Sequence, residues 1–247
     1  MNVSLFQAAA AMNASNRWQE LIAENLSASS IPGFKKQELS FSTLQSGLMP
    51  ASSAAPQHFV LPRATAATNF QPGQLKHTGV KTDVAIEGAG FFSVQLPNGA
   101  TAFTRDGEFQ VNAQGQLVTK QGYAVLGDSG AIQLDPANVN PITISGTGEI
   151  SQGTDLKAQI KVVDFSEPQL LTPISGGYFL ASHPNLQSVP VPDANLRQGY
   201  LENANTSAVA EMVHLIVAMR TFEANQRVIQ AHDERMAHAI SEIGNLN

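Results

Sequence analysis

The sequence predicts a mixed, mainly β fold. A central β-barrel or sandwich-like domain is flanked by long N- and C-terminal α-helices that pair in a coiled coil. Three observations carry this expectation. From Ser207 to Asn247 there is no Pro and the only Gly is Gly244, while Leu215, Phe222, Ile229, Met236 and Ile243 recur every seven residues. A seven-residue apolar repeat keeps one stripe turned toward a partner helix. The first 28 residues also lack Gly and Pro, with Leu5, Ala8, Met12, Ile22 and Leu26 near helical spacing. Between these ends lies a Gly-, Thr-, Val- and Asn-rich stretch of short runs, which reads as strands and turns.

The first helix is expected over Val3 to Ser27, and Pro32-Gly33 stops it. Pro cannot continue the hydrogen-bond ladder, and Gly permits a reversal. Ser, Ala, Gln, Thr and Pro dominate Leu48 to Gln74 without clear periodicity. Residues 31–82 therefore read as an extended linker or arm.

Strand signals begin at Asp83. The runs Val84-Ala85-Ile86, Phe91 to Val94, Thr101 to Thr104, Glu108 to Val111, Leu117 to Thr119 and Tyr123 to Leu126 are short. Gly88-Ala89-Gly90, Pro97-Asn98-Gly99, Arg105-Asp106-Gly107, Asn112 to Gly115 and Lys120-Gln121-Gly122 separate them as turns. Ile142 to Ile144, Ala158 to Val163 and Tyr178 to Leu180 are further strand candidates. The β domain is expected over 83–200, between an N-terminal helical segment at 1–30 and a C-terminal one at 201–247. Asn205, Thr206 and Ser207 offer side-chain caps for the last helix.

Composition narrows the function. Only 14% of the residues are charged, which suits surfaces that end up buried against neighbours as well as a Gly- and Thr-rich β domain. The net charge is -6, and no basic run exceeds Lys35-Lys36, so nucleic acid is not an expected partner. The absence of Cys excludes disulfides and thiol chemistry. No stretch approaches the 18 apolar residues of a transmembrane helix. The N-terminus lacks a basic n-region with a continuous apolar core, so any export is expected to bypass the general secretory route.

No motif points to catalysis, a metal, a cofactor or a small-molecule substrate. Gly88-Ala89-Gly90 lacks the third Gly of a nucleotide loop, since Ser93 stands there. His232 and His238 are six apart, off a common helical face. Arg105-Asp106-Gly107 reads as a hairpin corner.

Three blocks carry a family resemblance. Ala23 to Ser27 leads into Ile31-Pro32-Gly33-Phe34-Lys35. Asp83 to Phe92 continues through Phe103-Thr104-Arg105-Asp106-Gly107 to Gly115-Gln116-Leu117-Val118. Gly199-Tyr200-Leu201-Glu202-Asn203-Ala204-Asn205 precedes Glu211-Met212-Val213 and Arg220 to Asn225. In this order they resemble the flagellar basal-body rod and hook proteins, with departures at Glu24, Ser27-Ala28 and Ser207. The short stretch between the first two blocks points to the proximal rather than the distal rod group.

The resemblance implies a structural subunit of the basal body that assembles with itself and with other rod and hook axial proteins. It also implies export by the flagellar type III apparatus. The stripe residues Leu5, Met12, Ile22, Leu26, Leu215, Met219, Phe222, Ile229, Met236, Ile240 and Ile243 are the expected assembly interface. The competing reading is an envelope-associated binding module or a wall-remodelling enzyme with coiled-coil termini.

Overall fold

A computed structural model describes residues 3–48, 58–138, 140–184, 186–191 and 194–244. The chain divides into two compact units. One is assembled from residues 1–27, 37–67 and 208–247, and the other from 28–36 and 68–207.

The first unit holds both long helices, α1 (Val3–Ala28) and α2 (Ala208–Gly244). Their bounds follow the Gly- and Pro-free stretches of the sequence. The same unit contains strands Gln37–Leu48 and His58–Thr68, which among the described residues pair only with each other. Part of the expected linker is thus a two-stranded ribbon. Its Ser-, Thr- and Ala-rich strands carry no clean apolar alternation, which is why sequence pattern passes over them.

The second unit is all β apart from one 3-10 turn. Its main sheet follows the path Thr172–Ile174, Tyr178–Leu180, Thr101–Thr104, Phe91–Gln95, Ala124–Gly127, Leu117–Thr119 and Phe109–Val111. Val162–Phe165 pairs with the start of Phe91–Gln95 and with Ser188–Pro190. A three-stranded meander runs through Ile142–Ile144, Glu149–Gln152 and Asp155–Gln159. Two small ribbons join Val84–Glu87 to Asn195–Gln198 and Leu75–His77 to Tyr200–Glu202.

Adjacent residues of a strand face opposite sides, and here both sides are covered. Phe92 and Val94 enter a core with Val84, Ile86, Phe109, Leu117 and Val125. Phe91 enters a second, aromatic cluster with Phe103, Phe165 and Phe179. Phe70, which precedes the first strand of this unit, packs edge-on against Phe91 at 5.7 Å. Covering on both faces explains why the Phe-Phe-Ser-Val run shows no polar alternation.

The expectation of a closed barrel or sandwich does not hold. The sheets are open, and the main path ends at Thr172–Ile174 and Phe109–Val111, which do not pair with each other. The strand at one end carries Pro173, and a proline has no N–H for a further ladder bond. The candidate strand Ala158 to Val163 also divides, between Asp155–Gln159 and Val162–Phe165.

The coiled-coil pairing of the helices is likewise not what the structure displays. On α2, the shielded residues among those described are Ala208, Glu211, Leu215, Ala218, Phe222, Asn225, Ile229 and His232. They alternate at steps of four and three. A knobs-into-holes seam needs apolar side chains in both rows. Here one row is Ala208, Leu215, Phe222 and Ile229, but the other is Glu211, Ala218, Asn225 and His232. One side-chain hydrogen bond joins the two helices, from Asn225 Nδ2 to Ser15 Oγ at 3.4 Å.

Candidate functional site: helix faces and a buried charged junction

The expected interface residues have different surroundings. Ile22 is buried on α1, and Met12 and Leu26 are half-buried. Leu215, Phe222 and Ile229 are half-buried on α2, whereas Met219 and Met236 are exposed. Leu5, Ile240 and Ile243 lie on the helices at positions whose side chains fall outside the description. α2 also carries an apolar row outside this set, with Val209, Met212, Val213, Ile216 and Val217 all exposed.

The β unit contains a polar site that sequence reasoning missed. Its charged residues come from the three blocks that carry the family resemblance. Gly33 reverses the chain after α1 with φ at +67°, a conformation that costs Gly little. An added Cβ there would stand 2.3 Å from the Arg105 carbonyl carbon, so only Gly lets the two backbones meet. The Gly33 N–H donates to the Glu202 carbonyl at 2.6 Å. That register turns Lys35 inward.

The Lys35 ammonium donates to Glu202 Oε1 at 2.5 Å and to the Gln71 carbonyl at 2.9 Å, and both ionic side chains are only 1% exposed. Glu202 Oε1 also accepts the Gly73 N–H at 2.7 Å. Glu202 Oε2 faces Arg105 Nη1 at 3.4 Å, and Arg105 Nη2 donates to the Gly88 carbonyl at 2.6 Å.

One carboxylate is thus shared by two cations. Burial pushes the Lys35 ammonium below its ordinary pKa, and the adjacent Glu202 carboxylate opposes that shift. Burial likewise lowers Arg105, again opposed by Glu202. Arg105 Nε is buried without a hydrogen-bond partner among the described residues. Such a cluster is expensive to desolvate and tolerable only because its geometry is satisfied elsewhere.

Arg105-Asp106-Gly107 is not the expected hairpin corner, since the flanking strands Thr101–Thr104 and Phe109–Val111 do not pair with each other. Arg105 and Asp106 are buried. Asp106 accepts the Glu108 N–H at 2.9 Å, and burial pushes its carboxyl up to about 6. Gly107 packs so closely on Val84 that an added Cβ would overlap its carbonyl oxygen.

Asn205, expected as a helix cap, is engaged with two other segments. Its Oδ1 accepts the Lys36 N–H at 2.7 Å, and its Nδ2 donates to the carbonyls of Asn69 at 2.7 Å and Gln71 at 3.1 Å. The bland turn at Pro97-Asn98-Gly99 is exposed as expected, with Gly99 at φ +82°.

No group of His, Asp or Glu among the described residues is placed to hold a metal. No described helix is long and apolar enough to cross a membrane. The junction binds backbone to backbone through side chains and presents no open reacting group.

Comparison with known proteins fits this arrangement. Residues 85–152 match the flagellar hook protein FlgE/F/G D1 domain, and residues 197–242 match the flagellar basal body rod FlgEFG protein C-terminal family. The chain is 35% identical to the flagellar basal-body rod protein FlgG of Borreliella burgdorferi, covering 96% of this chain and 97% of that protein. It is 34% identical to the rod protein FlgF of Caulobacter vibrioides over 92% of each chain. It is 27% identical to FlgF of Escherichia coli over 97% of each. The C-terminal match begins at the ribbon that leads to Glu202, and the D1 match contains Arg105. With similarity running the length of the chain through both, the chain belongs to the flagellar basal-body rod protein family.

Proposed function

We propose that this chain is a structural subunit of the bacterial flagellar basal-body rod, located in the basal body and assembling with copies of itself and with other rod and hook axial proteins. The observation that carries this is 35% identity over 96% of the chain to a protein named for that rod. The family is structural, so an enzymatic role in wall remodelling is not favoured. Copies would stack helically into a hollow, torque-transmitting shaft. Export through the flagellar type III apparatus is the delivery route that the resemblance implies.

The terminal helices are the proposed assembly elements. α2 supports this with its exposed apolar row, since monomeric proteins seldom leave such rows uncovered. The expected interface residues are carried on α1 and α2. The proximal rod position rests on the short stretch between the Pro-Gly-Phe and Asp-Val-Ala-Ile blocks. Relatives named FlgG and FlgF match at similar identity.

The test is complementation of a strain lacking the gene with the chain tagged between Asn98 and Gly99, followed by isolation of basal bodies. Restored swimming with the tag in the rod fraction is the expected result. Normal rods in the strain without any copy would sink the proposal.

A further inference from the structure

The chain passes between its two units four times, after residues 27, 36, 67 and 207. On the β-unit side, three of these passages lie at Lys36, next to Asn69 and close to Asn205. These three residues are hydrogen-bonded to one another. The Asn205 amide uses its acceptor on the Lys36 N–H and its donors on the carbonyls of Asn69 and Gln71. The Asn205 N–H reaches the Phe34 carbonyl at 3.1 Å, and the Asn69 N–H donates to the Lys36 carbonyl at 2.9 Å. Beneath this layer, the Lys35 ammonium binds both Gln71 and Glu202, and Glu202 binds Gly73.

Segments more than 130 positions apart are thus joined by side chains acting on main-chain groups. A cap of α2 would need only its own first turn. An ordinary core would need only apolar packing. Neither accounts for one amide spending all its polar capacity on two foreign strands of backbone.

We propose that Asn205, closed beneath by Lys35 and Glu202, is a clamp that ties three chain passages into one joint, so that a load entering the β unit through one passage is shared with the others. Hydrogen bonds loaded together resist separation better than bonds peeled in turn. A protein that passes force between its parts would need its connecting segments held at a common point. This inference rests on the rod reading only for its mechanical use. The clamp itself follows from the hydrogen bonds.

The test uses the full-length chain. Limited proteolysis with mass mapping reads the cleavage rates within 28–36, 68–74 and 203–207. Asn205→Ala is expected to raise all three about tenfold or more, with the β unit still melting in one transition. Asn205→Asp keeps the acceptor for Lys36 but loses both donors. It is expected to expose 68–74 while 28–36 stays protected, a split that general destabilisation would not produce.

If Asn205→Ala raises cleavage only within 203–207, the residue is a local cap and the clamp is wrong. If Asn205→Asp leaves 68–74 protected, or exposes both segments equally, the clamp is wrong as well. Swimming in viscous medium then reads the mechanical use, and Asn205→Asp is expected to assemble into rods that swim at less than half the wild-type speed. Wild-type speed from such rods would remove load sharing. Absence of the wild-type chain from basal bodies would instead refute the rod reading and leave the proteolysis result to decide the clamp.

Discussion

Removing the Lys35 ammonium should cost the β unit more than any surface change in the chain. Lys35→Met keeps most of the side-chain volume, so the effect reports charge rather than a void. Glu202 would retain the Gly73 N–H at 2.7 Å and a long contact to Arg105 at 3.4 Å. It would lose its shortest partner, at 2.5 Å. Taking one member from a buried pair costs about 3–5 kcal/mol, and the remaining partners place this case near 3. For a unit of about 150 residues, each kcal/mol moves Tm by about 2–4 °C, so the expected fall is about 6–12 °C.

Glu202→Gln should cost a similar amount, because Lys35 would then lack a counter-charge and Arg105 would lose the stronger of its two, with Asp164 remaining. The double variant tests the reasoning. With neither charge of the pair present and Gln still able to accept from Gly73, its loss should be at least 2 kcal/mol smaller than the sum of the singles, within the range seen for touching residues. Thermal unfolding followed by near-ultraviolet circular dichroism supplies all four corners. A fall under 2 °C for Lys35→Met, or a strictly additive double variant, would refute the assignment of this pair as the centre of the junction.

Three other outcomes follow from the geometry. Asp106 holds its proton more tightly folded, at about 6, than its usual 3.8. Its contribution to stability is fully present below about pH 4 and lost as pH rises through 6, a penalty of roughly 3 kcal/mol at pH 7. Asp106→Asn keeps the acceptor for Glu108, so it should raise Tm at pH 7 and leave it unchanged near pH 4. Equal shifts at both values would contradict this. Gly33→Ala forces a Cβ against Arg105 at positive φ and should lower Tm by at least 5 °C, which differential scanning calorimetry would read. Phe222→Asp, on the half-buried row of α2, should abolish motility while the β unit melts as in the wild type, because a charge in a covered apolar row costs several kcal/mol. Wild-type swimming would remove that row from the proposed assembly surface.

Some of this was legible in the sequence. The two helices were, because long stretches free of Gly and Pro with spaced apolar residues have few other outcomes. So were most strands bounded by Asn-Gly or paired Gly turns. Gln37–Leu48 and His58–Thr68 were not, since polar residues fall on both faces of each and only their mutual pairing makes them strands. Glu149–Gln152 and Asn195–Gln198 were missed for a related reason: short strands take their identity from neighbours distant in the chain.

The junction lay in plain view as single letters. Lys35, Arg105, Glu202 and Asn205 all fall in the blocks that carry the resemblance. What a single sequence withholds is that blocks 97 to 169 positions apart meet. A Lys after Pro-Gly-Phe and a Glu within Tyr-Leu-Glu each look solvated. The weak signal was opposite charges carried in separate blocks, which matters only once they are known to be adjacent. The helix stripe erred in the other direction. A repeat of seven in one row suggested a seam, but the second row holds Glu211, Asn225 and His232.

The prolines at the sheet margins bear on which self-contacts the protein permits. Among the described residues, Thr172–Ile174 and Ser188–Pro190 each pair on one side only, and they carry Pro173 and Pro190. A chain meant to crowd against copies of itself runs a hazard at every open strand, because a neighbour's backbone can dock there in any register and grow fibres. A missing N–H at each of these margins interrupts that ladder. The strands are thereby made poor templates, and close packing of many copies is left to side-chain surfaces, where shape can dictate a single geometry.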